Sequence, residues 1–359
     1  MIVATQAQTI IQPPPNLLVN GNMDIWQRGT SFTSSTWRTN ANGNCCVDRW
    51  KLFSDGDNIV SLSQSTDVPT GQGYQYSLLS TVVTINKKFG HIQFIPNTEA
   101  VKLAGRYVSI GFWAKTGASH VINNVRAAVL SFTGTTDTAV STKSGTAGSS
   151  LLAWSVQGTN PTQAATWTME NTATNLPLTT TWSHYTINNI YLDTANLTNL
   201  AVAIWVDDTD CAVGDLLYIT GIDLVDNATW MQTAKRSFVD ELDKCYPHFQ
   251  KSYPYAIVPG TAGNAASANG AMGYLAPHNI TYGQLQVFYG KMFGTPTLTV
   301  YSPYTGTSGV CRYGEGAGSD VVVVAINSVI GVTSTGLFTN TAVTGGNAIT
   351  CHWTTEAEL

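Results

Sequence analysis

Between residues 105 and 115 the chain alternates strictly. Tyr107, Ser109, Gly111 and Trp113 fall on one face, and Val108, Ile110, Phe112 and Ala114 on the other. A period of two marks a strand with one buried face. Residues 182–192, 200–206 and 216–224 read as further strands, and turn-rich stretches separate them, the longest at 133–150. Short strands at this spacing predict a sandwich or barrel rather than parallel α/β units. Nearer the start, an apolar strand at 17–19 breaks at Asn20-Gly21 and resumes through Met23, Ile25 and Trp26, and residues 47–53 open another. Toward the end, 283–294, 295–301, Ser319–Ile326, 331–332 and 348–353 predict a second β unit.

One stretch departs from this pattern. In residues 229–254, TWMQTAKRSFVDELDKCYPHFQKSYP, Phe238, Leu242 and Cys245 fall at i, i+4 and i+7, with Val239 and Tyr246 beside them. That is the stripe of an amphipathic helix. Lys235, Arg236, Asp240, Glu241, Asp243 and Lys244 fill the other face, and Pro247 ends the helix. The chain therefore divides into a β unit at 16–228, a helix and linker at 229–253 that clasps the two β units, and a β unit at 254–359. Residues 1–15, MIVATQAQTIIQPPP, end in three prolines. They read as an extended arm docking onto a larger assembly, or as a frayed terminus.

Composition narrows the class. Charged residues are 11% of the chain, less than half the usual share of about 25%. A polar but uncharged surface suits neutral ligands such as sugars. The net charge of −5 and the lack of a basic patch exclude nucleic acid as a partner. The longest apolar run, residues 321–326, is far short of the roughly 20 residues a membrane-spanning helix needs. No Lys or Arg precedes Arg28, so no charged leader opens the sequence. The six cysteines are too few for a disulfide scaffold and read as buried free thiols.

Residues 16–32, NLLVNGNMDIWQRGTSF, followed by Val47-Asp48-Arg49-Trp50, resemble the opening of bacteriophage tail-fibre and related virion appendage proteins. The order F-W-A-K, T-T-T-W-S-H-Y and G-D-L-L-Y-I is similar to the jelly roll of that family, which is like those of carbohydrate-binding modules. Residues 239–255 resemble its E-L-x-x-C-x-R-Y-Y-x-K-S-Y segment through Glu241, Leu242, Cys245, Phe249, Lys251, Ser252 and Tyr253. Two departures stand out: His248 replaces an aromatic or basic residue, and Ile222-Asp223-Leu224 replaces a usual Gln-Leu-Glu.

The resemblance implies an N-terminal jelly-roll β-sandwich, a short connecting helix and a C-terminal β-sandwich. It further implies a non-enzymatic virion protein, made in the host cytoplasm, that binds host surface polysaccharide. Its arm, residues 1–15, would dock onto other virion proteins, and the protein would form a homotrimer. The alternatives are a capsid or collar decoration protein without receptor binding, and the binding module of a secreted enzyme.

Candidate chemistry is sparse. The six histidines do not fall at metal-ligand spacing, and no nucleophile elbow, P-loop or zincin motif occurs. Asp207, Asp208 and Asp210 supply hard oxygen donors at the short spacing of a structural calcium loop, or of a solvated acidic turn. No other cofactor is expected. Among the aromatics, Trp26, Trp50, Trp113 and Trp205 sit in strand patterns and are assigned to the core. Trp154, Trp167 and Trp182 lie in or beside polar stretches, and Tyr274, Tyr282 and Tyr304 lie among Gly, Ser and Asn. These six are the candidates for stacking on sugar rings.

Overall fold

The computed structural model describes residues 12–39, 41, 43–138, 152–154, 156–206, 211–263, 271–275, 279, 284–314, 319–326, 331–339, 342 and 344–359. The alternating segments form two antiparallel sheets. The front sheet runs in the order Ser31–Phe32, Val60–Ser65, Ser77–Val82, Leu216–Val225, Tyr107–Thr116, Ser183–Tyr191. The back sheet runs Trp167–Met169, Asn124–Phe132, Asn199–Val206, Phe89–Ile95, Lys51–Ser54, with Leu176–Pro177 also on Asn124–Phe132. Val108, Ile110, Phe112 and Ala114 of the front sheet meet Val125, Ala127, Val129, Val202 and Ile204 of the back sheet in one core. This is the expected jelly-roll sandwich.

The back sheet is buried on both faces. Its other side packs Phe53, Phe94, Leu130, Ala203 and Trp205 against Trp167 and Leu359. Double burial explains why residues 200–206, LAVAIWV, read as an unbroken apolar run instead of an alternation.

The predicted strands at 17–19 and 23–26 do not form. Leu18, Met23, Ile25 and Trp26 are buried, yet the backbone runs in bends and turns, with φ of +55° at Asn20 and +59° at Met23. Hydrogen bonds to side chains take the place of a ladder. The Asn20 amide donates to the carbonyls of Ile25 (2.9 Å) and Asp48 (3.0 Å) and accepts from the N–H groups of Asp24 and Ile25. Asn16 accepts from Leu18 and Leu224 N–H and donates to Ile222 O. Gly21 is required because a Cβ there would collide with the Ile222 carbonyl, whose own N–H donates to Gly21 O at 2.9 Å.

The helix is confined to Phe238–Cys245, with Ser237 accepting from Asp240 N–H as its cap. Only the C-terminal end of its apolar stripe packs, at Cys245. Phe238 and Val239 are 46% and 62% exposed, whereas Glu241 and Cys245 are buried. Glu241 pairs with Arg236 at 3.0 Å and accepts from Asn20 N–H, while Arg236 donates to the carbonyls of Leu18 and Asn16. The helix therefore holds the irregular N-terminal turn through an ion pair and main-chain hydrogen bonds. A two-turn helix has too short an apolar face to do so by packing alone.

The C-terminal β-sandwich is built on the long strand Ala348–Glu356. One end pairs with Phe249–Lys251 and Thr297–Tyr301, the other with Met272–Leu275 and Val310–Tyr313. Ser319–Ile326, Ser334–Thr339 and Gln284–Phe288 continue the sheet. The predicted strand at 331–332 thus begins at Ser334. Val287, Val300, Cys311, Ile349 and Cys351 form the core, and all six cysteines are buried thiols outside any disulfide. The apolar run at 321–326 has strand neighbours on both edges, so its edges are paired within the sheet, while Val322 is 52% exposed.

The two β units meet at a buried cluster of charges. Arg28 bonds Asp48 (3.2 Å), Glu356 (3.1 Å) and Glu358 (3.2 Å), with its guanidinium 3.9 Å above the Phe249 ring. Arg49 pairs with Glu358 and donates to Phe94 O. Lys251 donates to the carbonyls of Gln27, Tyr255 and Ile257. Burial pushes the Glu358 carboxyl up, but Arg49, Arg28, His248 and Lys51 together outweigh it and hold it at about 2. Asp48 goes the other way: burial raises it to about 6, against Arg28 and the Gln27 N–H. The two motifs at 16–53 and 239–255 are thus the two sides of one junction.

Candidate functional site

The site is built on the outward face of the front sheet. Strand Tyr107–Thr116 sends Val108, Ile110, Phe112 and Ala114 inward, which leaves Tyr107, Ser109, Gly111, Trp113 and Lys115 outward. Register then fixes the neighbours. Trp113 lies opposite His184 on one side and Thr220 on the other, and Lys115 lies opposite Tyr218. Trp182, just ahead of Ser183–Tyr191, falls beside Lys115.

These side chains line an open groove of about 450 Å³ whose walls include Trp113, Trp182, Lys115, Thr70, Thr180 and Thr181. Trp182 is half-buried, and its indole Nε1 donates to Asp67 at 2.9 Å. Lys115 pairs with the same carboxylate and sits 4.7 Å from the Tyr218 ring centre and 5.6 Å from that of Trp182. Burial alone would raise the Asp67 carboxyl; the hydrogen bonds from Lys115 and Trp182 instead hold it below its ordinary value. Among the described residues, the groove's cation and the anion beside it therefore neutralise each other. What remains for a ligand is indole surface and threonine hydroxyls.

Beyond Trp113 the face is covered. Trp230 lies over Gly111, where a Cβ would collide with its ring, and His184 packs between Trp113 (5.1 Å) and Trp230 (4.2 Å). The Trp230 N–H donates to Asn188 at 2.6 Å. Burial lowers the His184 imidazole below its ordinary value, so it is neutral near pH 7. At the far end Tyr107 and Tyr191 pack at 4.8 Å and stand 45% and 43% exposed.

Of the predicted stacking residues, Trp182 lies in the groove. Trp167 does not serve as a stacking face: it is 5% exposed and wedged against Phe94 and Phe132, part of the cover over the back sheet. Trp154 is half-buried and has one face stacked on Phe53 at 5.1 Å and 5°. Tyr274 is half-buried against the C-terminal core. Tyr304 is 57% exposed, with the Arg312 guanidinium 4.3 Å over its ring. Tyr282, Asp207, Asp208 and Asp210 lie outside the described residues. Nearby Asp215 is buried and accepts from the N–H groups of Val121, Ile122 and Ala212, a structural tie between two loops. Among the described residues no three His, Cys, Asp or Glu side chains are placed to hold a metal.

Trp26, Trp50 and Trp205 are core residues as expected, each at most 2% exposed. Trp113 is not. The phase of its strand already placed it with Tyr107 and Ser109, opposite the aliphatic face, and that signal outranks the apolar character of the side chain.

No family model matches the chain, and no curated protein matches it. Among solved structures, an enzymatically active domain of bacteriophage CBA120 tailspike protein 4 is 18% identical, with a TM-score of 0.33. That match covers 53% of this chain and only 22% of the tailspike chain. A CBM61 module solved with β-1,4-galactotriose is 13% identical over 59% of this chain and 99% of its own, with a TM-score of 0.30. The tandem CBM22 domains of Paenibacillus barcinonensis Xyn10C are 8% identical over 97% of this chain and 92% of theirs, with a TM-score of 0.34. Likenesses this distant carry no weight for a ligand, and the functional reading rests on the groove itself.

Proposed function

We propose that the chain is a non-catalytic glycan-binding protein of a bacteriophage appendage and that it binds a neutral host surface polysaccharide along the Trp113–Trp182 groove. The observation that carries the binding half is the groove's chemistry. Flat indole faces suit the C–H faces of sugar rings, threonine hydroxyls suit their hydroxyls, and the Lys115–Asp67 pair cancels the local charge. Binding without turnover is supported by the state of Asp67. Among the described residues it is the carboxylate bonded to the groove walls, and its bonds to Lys115 and Trp182 tie it to the wall instead of leaving it free as one of the two carboxyl groups that glycoside hydrolysis uses.

The virion half rests on the resemblance of residues 16–53 and 239–255 to appendage proteins. On that reading residues 1–15 dock the protein onto other virion proteins, and it assembles as a homotrimer. Trimer assembly draws no support from the apolar run at 321–326, which is paired within its own sheet. The test is binding of the purified full chain to host cells in competition with polysaccharide extracted from their surface. Competition supports the proposal. Equal binding with and without the polysaccharide contradicts it, and immunolabelling of particles tests the virion location separately.

A further inference from the structure

A second concave site lies at the other side of the front sheet. It is a pocket of about 260 Å³ between the N-terminal turn, strand Val60–Ser65, and the 255–258 turn. Asp24, Gln64 and Gln75 contribute its polar wall, and Tyr76, Tyr255 and Phe238 its aromatic wall. The aromatic wall is held in place by contacts among its own lining residues. The Tyr255 hydroxyl accepts from Trp26 N–H at 2.9 Å, and Phe238 meets the Tyr255 ring edge-on at 5.2 Å.

The polar wall is only partly spent, by a hydrogen bond from Asn22 to the Asp24 carboxylate. The Gln64 and Gln75 amides make no side-chain hydrogen bond among the described residues, and Asp24 Oδ1 is buried without a partner. A buried acceptor left unpaired is unfavourable, so the fold gains where a donor reaches it. The helix residue Phe238 also finds a purpose here. Its predicted packing role fell to Glu241 and Cys245, and its exposed ring forms the pocket's rim.

We propose that this pocket is a second carbohydrate site that takes a single sugar ring, as a terminal unit or side branch, with the amides and Asp24 on its hydroxyls and Tyr255 and Phe238 on its C–H face. The inference rests on the carbohydrate reading of the groove and adds a site to it. The loop before Ser77–Val82 joins the two, since Pro69 and Thr70 line the groove while Gln75 and Tyr76 line the pocket. A branched or chain-terminating glycan would engage both, which multiplies weak contacts without new ones.

Saturation-transfer NMR on the full chain tests this with a panel of free monosaccharides: glucose, galactose, mannose, rhamnose and N-acetylglucosamine. The expected result is transfer to at least one sugar, retained in Trp182→Ala. In Gln64→Leu/Gln75→Leu it should weaken about tenfold through two lost hydrogen bonds. Both glutamines are surface-accessible, and Asp24→Asn serves as a second variant should the double variant not fold. Transfer lost in Trp182→Ala but kept in the glutamine and Asp24 variants would overturn the second site, as would no transfer to any sugar. Polysaccharide binding at wild-type affinity in Trp182→Ala would sink the groove and leave the pocket standing.

Discussion

Glu358→Gln is predicted to destabilise the whole protein, although the residue touches neither candidate site. The substitution keeps the volume and removes the charge that Arg49 and Arg28 share. Holding this carboxyl at about 2 instead of its ordinary 4.5 corresponds to about 3 kcal/mol favouring the charged form. Its side chain is 4% exposed, so solvent screening removes little of that. After the change Arg28 keeps Asp48 and Glu356, but Arg49 keeps only the Phe94 carbonyl. Breaking one partner out of a buried pair costs roughly 3 to 5 kcal/mol. Both routes give a loss of about 3 kcal/mol, or a fall in Tm of roughly 5 to 10 °C for a chain of this size. Calorimetry at pH 7 measures it. Glu99→Gln is the control, because its partner Lys102 is 63% exposed and Glu99 is 52% exposed, so the change is predicted to lie within about 0.5 kcal/mol. Equal, small shifts for both variants would refute the junction as a source of stability.

Three further outcomes follow from the same residues. Burial raises Asp48, Asp24 and Asp223 to about 6 and lowers His91 and His248 to about 3. As pH falls from 6.5 to 4.5 the folded carboxyls take up protons the unfolded ones do not, which stabilises; the unfolded histidines take up protons the folded ones do not, which destabilises. The two trends offset, so Tm should stay nearly level over that window and fall below about pH 4 as Glu358 and the histidines dominate; a steep monotonic fall between pH 6.5 and 4.5 would contradict this. Gly21→Ala should cost about 1 to 3 kcal/mol by driving a Cβ into the Ile222 carbonyl, while Gly294→Ala, with open space around it, should be near neutral; denaturant titration separates them. Polysaccharide binding should change less than about twofold between low and physiological salt, because the groove's ion pair is internal; a steep loss with salt would point to a charged ligand.

The sandwich was legible because its front-sheet strands bury one face and its back-sheet strands read as unbroken apolar runs. Residues 105–115 and 216–224 show the alternation, and the core follows it. The N-terminal turn was not, because Leu18, Met23 and Ile25 fill the core from an irregular backbone whose hydrogen bonds run to Asn16 and Asn20 side chains. Apolar spacing says nothing of such bonds. The helix was found in place but its buried side was misread, since an acidic residue paired with Arg236 packs where the aromatic was expected. The aromatic candidates sorted by neighbourhood more than by local polarity. Trp167 sits in a polar stretch, yet that stretch folds back to cover the outer face of the back sheet, a contact between residues far apart in sequence. Trp182 kept its exposure because its strand lies at a sheet edge. Tyr218 joins the groove through register and Asp67 from the loop after Val60–Ser65, so neither could be paired with Trp182 from the sequence.

The groove itself is the central claim, and one comparison tests it most directly: affinity of the full chain for host surface polysaccharide in wild type, Trp182→Ala and Tyr304→Ala, with circular dichroism confirming the fold of each. Losing one indole stacking face, worth about 1 to 2 kcal/mol, predicts binding about tenfold weaker for Trp182→Ala. Tyr304→Ala, outside the groove, should bind as wild type does. Wild-type affinity in a folded Trp182→Ala would contradict the groove, and a loss confined to Tyr304→Ala would move binding to the C-terminal unit.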